Sequence, residues 1–319
     1  MEPGSLVDYE GFASHVFKGR RHGRSVAMKL SHSSSHSRGA IEAELEFVRQ
    51  LAAAGVQLAP ALVEPDSGDR PVLHAIPDQR GGVFYAYGFE WIEGECFEDV
   101  EKTPEQLLAA GRNLGALHAV SAALNVQGRR LDRHGFEDND DYDYRTYLPP
   151  RQRRVIRRMD QIMARVREQP RDAQRFGLIH SDCHDGNWIV DRHGRPRLID
   201  FDDCEYHFFL YDIAIMVYTF LPPDEWQSRA WSVHVFRQLV KGYRQSRELD
   251  ADEFAAFPLF LKFRALMIHV LLAKVARLTG ERPDAVSERR RIARFESNFE
   301  DLAELMDLDY VSLARSSRG

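Results

Sequence analysis

A chain of 319 residues, 44% hydrophobic and 29% charged, has the balance of a globular protein, and at roughly 150 residues per domain it holds about two lobes. Its 43 Lys+Arg against 49 Asp+Glu give a net charge of −6, and no basic stripe with interleaved aromatics appears, so nucleic acid is not the expected partner. The most apolar stretch, Pro258 to Ala276, is broken by Lys262, Arg264, His269 and Lys274 and reads as a buried helix, not a membrane span. The start, Met1-Glu2-Pro3-Gly4, lacks a signal-peptide layout, and three cysteines (Cys96, Cys183, Cys204) fit a reducing cytoplasm rather than a disulfide framework.

Along the first ninety residues the pattern favours strands. Ser25 to Leu30 alternates, ending on Lys29, and Gly81 to Ile92 carries β-prone aromatic and branched residues enough for two runs. Between them Ile41, Leu45, Val48 and Leu51 recur at helical spacing over Arg38 to Ala54, after the polar loop Ser31 to Ser37. From about Glu93 helices dominate. Thr103-Pro104 caps a helix running to Val120, a very basic helix covers Arg151 to Arg167, and further helices are expected at 212–221, 224–247, 251–278 and 284–306. Two irregular segments interrupt them: the acidic, tyrosine-rich Phe136 to Pro150, and Gly177 to Asp203. Arg315 to Gly319 reads as a frayed tail. The expected fold class is α+β, a small β-rich lobe over residues 1–93 followed by a larger, mainly helical lobe over 94–319.

Gly177 to Asp203 carries the chemistry. It contains His180-Ser181-Asp182-Cys183-His184-Asp185-Gly186-Asn187, and Asp200 follows thirteen residues after Asn187. The runs Trp188-Ile189-Val190 and Arg197-Leu198-Ile199 flank Asp191-Arg192-His193-Gly194, a hairpin with a glycine turn that returns Asp200 to the end where Asn187 lies. An amide and a carboxylate there offer hard oxygens to a magnesium–nucleotide. Asp182 lies opposite, as the carboxylate that takes or orients the proton of an acceptor hydroxyl. Upstream, Lys29 ends a Val-Ala-Met-Lys strand as a phosphate-binding lysine should. Only six of the 43 cations are lysines, which narrows that search. Among Glu42, Glu44 and Glu46, Glu44 shares a helix side with Val48 and Leu51 and is the expected partner of Lys29.

The run HSDCHDGN followed by IDFDD resembles the catalytic and metal loops of the aminoglycoside phosphotransferase-like kinases, the branch of the protein-kinase fold with homoserine kinase type II, choline-kinase-like enzymes and bacterial stress response kinase A. Glu42 to Phe47 resembles that family's lysine-partner helix, Glu90 to Gly94 its hinge, Gly111 to His118 the helix after it, and Tyr211 to Ala214 the segment after the metal loop. The resemblance implies a bilobal kinase using ATP and Mg2+. It makes Asp182 the catalytic base, Asn187 and Asp200 the metal ligands, Lys29 with Glu44 the phosphate-positioning pair, the backbones of Glu90 and Ile92 the adenine site, and Asp212 a brace for the catalytic loop. The sequence departs from the pattern in two places. Glu10 to Val16 has one glycine where protein kinases carry a Gly-x-Gly-x-x-Gly loop, leaving Ser14 as the candidate phosphate contact. Ser181 stands where the family commonly has glycine, and Asp185 where it is often small or proline.

The expected acceptor is a small hydroxylated molecule, an amino sugar, amino alcohol, nucleoside or antibiotic that carries an amine, and the acidic run Glu137 to Tyr144 reads either as a solvated loop or as a wall that attracts that cation. Glu300, Asp301, Glu304 and Asp307 are further candidates for that field. A protein Ser/Thr acceptor is the second reading, although only eleven residues separate Asp200 from Asp212. A metallohydrolase using His180, Asp182, Cys183, His184, Asp200 and Asp202 as ligands is the remote third.

Overall fold

Five antiparallel strands build the first sheet, in the order β1-β2-β3-β5-β4: β1 (Val7–Tyr9), β2 (His15–Arg21), β3 (Arg24–His32), β4 (His74–Pro77) and β5 (Val83–Glu90). The computed structural model describes residues 1–2, 4–9, 14–56, 61–63, 73–220, 229–278 and 308–317. The segment Gly81 to Ile92 contributes a single long strand, not two, and its outer neighbour is the short β4. The central strand β3 sets Lys29 opposite Val16 on one side and Tyr87 on the other. Helix α1 (Arg38–Ala53) begins where the Ser37 hydroxyl accepts from the Ala40 amide, and it buries Ile41, Leu45, Val48 and Leu51. Glu44 is carried into the same buried face.

The chain changes sheets between Glu90 and Gly94. The next strand, β6 (Gly94–Cys96), which the helical pattern there had hidden, pairs with β8 (Trp188–Asp191), and β8 pairs with β9 (Pro196–Leu198). The β8–β9 register places Trp188 opposite Leu198 and turns at Gly194, whose φ is +74°. Strand β7 (Phe176–Ile179) leads into the catalytic segment and pairs with β10 (Glu205–Phe208), which leaves it.

The remainder is helical. Helix α2 (Pro104–Val126), with its Thr103–Gln106 capping box, runs nearly two turns past the expected end because Ala122 and Leu124 still face the core. It packs on α6 (Arg229–Tyr243) at glycine contacts: a methyl on Gly111 or Gly115 would run into the carbonyls of Leu239 and Tyr243. A short α3 (Tyr144–Tyr147) ends the acidic loop, which is two 3-10 turns rather than open coil, and α4 (Arg153–Arg167) follows. The core centres on α5 (Phe209–Thr219) and α7 (Phe257–Leu278). The helical span Ala251–Leu278 is the one among the described residues long and apolar enough to cross a membrane. Here Phe260 and Phe263 of α7 pack against His207, Phe208 and Tyr211, and its polar Arg264 and His269 are buried.

At the C-terminus the expected frayed tail is corrected. Residues 315 and 316 end a helix, Tyr310–Ser316, anchored by Tyr310 against Phe236 and Phe257 and by an Arg315–Asp252 pair at 2.6 Å. The helix expected at 284–306, residues 221–228 with the first turn of the helix expected at 224–247, residues 318–319 of the tail, the phosphate-loop residues 10–13 and the acids Glu300, Asp301, Glu304 and Asp307 lie outside the described residues.

Candidate active site

Lys29 stands where the first sheet meets the loop after β9. Its ammonium lies 2.7 Å from Asp200 Oδ1, 2.7 Å from Asp202 Oδ1 and 3.8 Å from Glu44 Oε1. Burial alone would lower the lysine pKa, but the three carboxylates outweigh it and hold the group charged, well above its usual range. Glu44 is the one glutamate of its trio to face inward: Glu42 pairs with Arg38, and Glu46 with Arg49 and Arg129, on the outer surface. Burial pushes the Glu44 carboxyl up, and Tyr87 donates to it at 3.1 Å. Asp202 was missed as a partner of Lys29. It is closer than Glu44, buried, and held well below the usual carboxylate range, because Lys29 outweighs the cost of its burial. Its signal was in the sequence, as the second acid of Asp200-Phe201-Asp202. Ser14 sits beside it, donating to Asp202 at 2.9 Å and meeting Ser31 at 2.7 Å.

The catalytic segment is fixed from beneath. Asp212, fully buried at the start of α5, accepts the backbone N–H groups of His180 and Ser181, each at 2.9 Å, and the His118 ring at 3.1 Å. Burial opposes its charge, but these donors hold it below the ordinary range. The buried His180 is kept neutral. Its Nδ1 accepts from the Asp182 amide at 3.3 Å, so Nε2 donates to the Ile199 carbonyl at 3.0 Å and ties the loop to the hairpin. Two residues here have left-handed backbones without being glycine, Ser181 at φ +66° and Asp200 at φ +64°. Such strain gathers at functional sites.

Asp182 is engaged on both oxygens. Asn187 Nδ2 donates to its Oδ2 at 3.0 Å and to its carbonyl at 2.8 Å, His184 faces the same Oδ2 at 3.4 Å, and Arg264 of α7 faces Oδ1 at 3.8 Å. Burial would raise this carboxyl, but His184 and Arg264 prevail and keep it below its ordinary value. Asp203 opens toward the same space. The residue itself is exposed, but the protein packed around its base and the carboxylates of Asp182, Asp200, Asp202 and Asp141 push it up. Arg264 and Asp203 were not singled out from sequence.

The donors suit a divalent cation. Asn187 gives its amide nitrogen to Asp182, which leaves the amide oxygen to face elsewhere, and Asp200 carries a 44% exposed side chain. Asn187 and Ile199 bond across the hairpin end at 2.9 Å, so the amide and the carboxylate after Ile199 come together. At the expected hinge the Glu90 N–H is taken by the Ala61 carbonyl at 2.8 Å and the Trp91 N–H by Ser25 at 3.2 Å, so an adenine contact at Glu90 falls to its carbonyl. The ligand set of the metallohydrolase reading does not converge: His180 points at Ile199, and the Cys183 thiol donates to the Asp212 carbonyl at 3.2 Å.

A β-rich lobe bearing a buried lysine, set against a helical lobe bearing the His180–Asn187 and Asp200 loops, defines an ATP-dependent phosphotransferase of the kinase type. The model of the phosphotransferase enzyme family matches residues 10–254, and the chain belongs to that family. Amicoumacin kinase of Bacillus subtilis (strain 168) is 27% identical over 315 residues, covering 97% of this chain and 90% of that protein. The structure of an amicoumacin kinase in complex with AMP-PNP, Ca2+ and Ami superposes with a TM-score of 0.85 at 27% identity, covering 98% of this chain and 92% of that one. A microcompartment-associated aminopropanol kinase, 20% identical, has the same fold with a TM-score of 0.69 over 98% of this chain and 91% of that one.

Proposed function

We propose that this kinase moves the γ-phosphate of Mg·ATP to a hydroxyl of a small, amine-bearing molecule of the antibiotic or amino-alcohol type, in a cleft between residues 1–93 and 94–319. The observation that carries the acceptor class is the excess of carboxylates at the cleft: Asp182, Asp200, Asp202, Asp203 and Asp141 gather there against three cations, Lys29, Arg264 and Lys274. An acceptor ammonium relieves that crowding, as a neutral or anionic acceptor does not. The likeness to amicoumacin kinases supports the same class.

In this reading Lys29 neutralises charge on the phosphates, with Glu44 and Asp202 holding it in place. The Asn187 amide oxygen and Asp200 would hold magnesium, whose charge would offset that of the phosphates. The carbonyl of Glu90 and the backbone of Ile92 receive the adenine, and Ser14 lines the phosphate side. Asp182, anionic and fixed by Asn187 and Arg264, accepts the hydrogen bond of the acceptor hydroxyl and then its proton, so catalysis is chiefly positioning and electrostatics. A small acceptor rather than a polypeptide fits the segment after Asp200: residues 204–211 are buried and offer no shelf to a peptide. A cytoplasmic setting belongs to the same reading, supported by three free cysteines.

The test is phosphorylation of amicoumacin, 1-amino-2-propanol and a generic protein substrate, each followed by ADP release and mass spectrometry. Transfer to an amine-bearing small molecule is expected. In Asp182→Ala and Asp200→Ala it should disappear while the far-ultraviolet spectrum stays native. Turnover with protein alone overturns the acceptor, and turnover in either variant overturns the site.

A further inference from the structure

Ser181, where glycine is usual, finds no use in that mechanism, and the acidic loop enters it through Asp141 alone. They meet at one fully buried carboxylate. Glu205, the first residue of β10, accepts from Ser181 Oγ at 2.7 Å, from Tyr142 OH at 2.6 Å and from Asn139 Nδ2 at 2.9 Å, with His134 Nε2 3.6 Å away. Tyr142 and Ser181 are themselves 3.4 Å apart.

We propose that Glu205 is a positioning residue that clasps the loop over residues 137–144 to the catalytic loop, and so sets where an acceptor meets Asp182. The inference rests on the reading of Asp182 as the residue facing the acceptor. Ser181 directly precedes Asp182, and Asp141 directly precedes Tyr142 while lending its charge to the field at Asp203. One carboxylate therefore bonds the immediate neighbours of both acceptor-side acids. Ser181 keeps a left-handed backbone that glycine would adopt without strain. The hydroxyl that only serine brings is the one bonded to Glu205, a reason for the departure from glycine. Burial disfavours the Glu205 charge, yet its donors hold the carboxyl below the usual range, and Tyr142, raised by burial and by Glu205, stays a neutral donor. On its far side Tyr142 packs edge-on against Phe263 of α7, the helix whose Arg264 faces Asp182. Main-chain contacts hold the base of the clasp: the Tyr206 amide bonds to the His134 carbonyl at 3.0 Å, and Arg133 donates to the carbonyls of Asp202 and Cys204.

Three variants test this: Tyr142→Phe, Ser181→Gly, and the two combined. Glycine suits the backbone at 181 and phenylalanine keeps the packing at 142, so all three should fold. Hydrogen exchange without any acceptor is the first readout. Amides of residues 139–144 should exchange about tenfold faster in each single variant, and no faster again in the double, because both bonds serve one clasp. Kinetics with amicoumacin is the second: the acceptor KM should rise about tenfold while the ATP KM stays within about twofold. Unchanged exchange in the loop, strictly additive effects, or an equal rise in the ATP KM would overturn the clasp. If the wild type does not turn over amicoumacin, the choice of acceptor fails and the exchange experiment still decides on Glu205.

Discussion

The two sides of the cleft solve the problem of buried charge differently. On the nucleotide side three carboxylates within 3.8 Å share one ammonium, Lys29, and among the described residues the almost fully buried Glu44 and Asp202 have besides it only the neutral donors Ser14 and Tyr87. On the acceptor side each carboxylate has its own donors: Asp182 has Asn187, His184 and Arg264, while Glu205 has Ser181, Tyr142 and Asn139. A pooled cation is a single point of failure. At Asp182, donors spread over three side chains soften the loss of any one.

That contrast is sharpest at Lys29. Lys29→Met leaves buried Asp202 and Glu44 with neutral donors only, and breaking a buried pair in this way costs about 3–5 kcal/mol. Urea unfolding at pH 7 should show that loss, and turnover should fall by about 10³-fold or more. A loss below about 1 kcal/mol would break the comparison.

Acid should probe the acceptor side next. His207, stacked on Tyr211 and wholly buried, is held down to about 4, against about 6.5 for a free imidazole. The unfolded chain takes up a proton there below about pH 6.5 that the folded chain refuses until near pH 4. The contribution of His207 is therefore complete above about pH 6.5 and is lost as the pH falls toward 4, by about 3 kcal/mol in all. His207→Phe should flatten this part of the pH dependence of unfolding. An unchanged slope would show that the ring titrates normally.

The smallest effect is expected at Arg264. Arg264→Met leaves Asp182 bonded to Asn187 and facing His184, so turnover should fall by about tenfold, equivalent to about 1.4 kcal/mol, with the fold intact. A loss as large as that of Lys29→Met would mean that the acceptor side, too, depends on one cation.

The same contrast explains what could be read from the chain alone. The α+β class, the hairpin and the facing of Glu44 follow from local patterns: alternation in β3, the glycine at 194, helical spacing in α1. Glu205 and Arg264 have no such pattern. Glu205 gains its role from Asn139, Tyr142 and Ser181, more than twenty residues upstream, and Arg264 reaches Asp182 from a helix over eighty residues downstream. Arg264 did leave a trace, a cation inside the most apolar helix, as did Lys274, which pairs with Asp141 from the same helix. Side chains that break an apolar stretch mark its contacts with polar neighbours. The hidden strand β6 had too few residues, three, to show any period at all.

Of the three non-glycine residues with positive φ among the described residues, two, Ser181 and Asp200, belong to the catalytic segments. Left-handed backbone costs an L-residue about 1–2 kcal/mol. A programme that selected variants of this kinase for thermal tolerance alone would therefore be drawn to glycine at Asp200, and would be rewarded with a sturdier protein that had surrendered its chemistry.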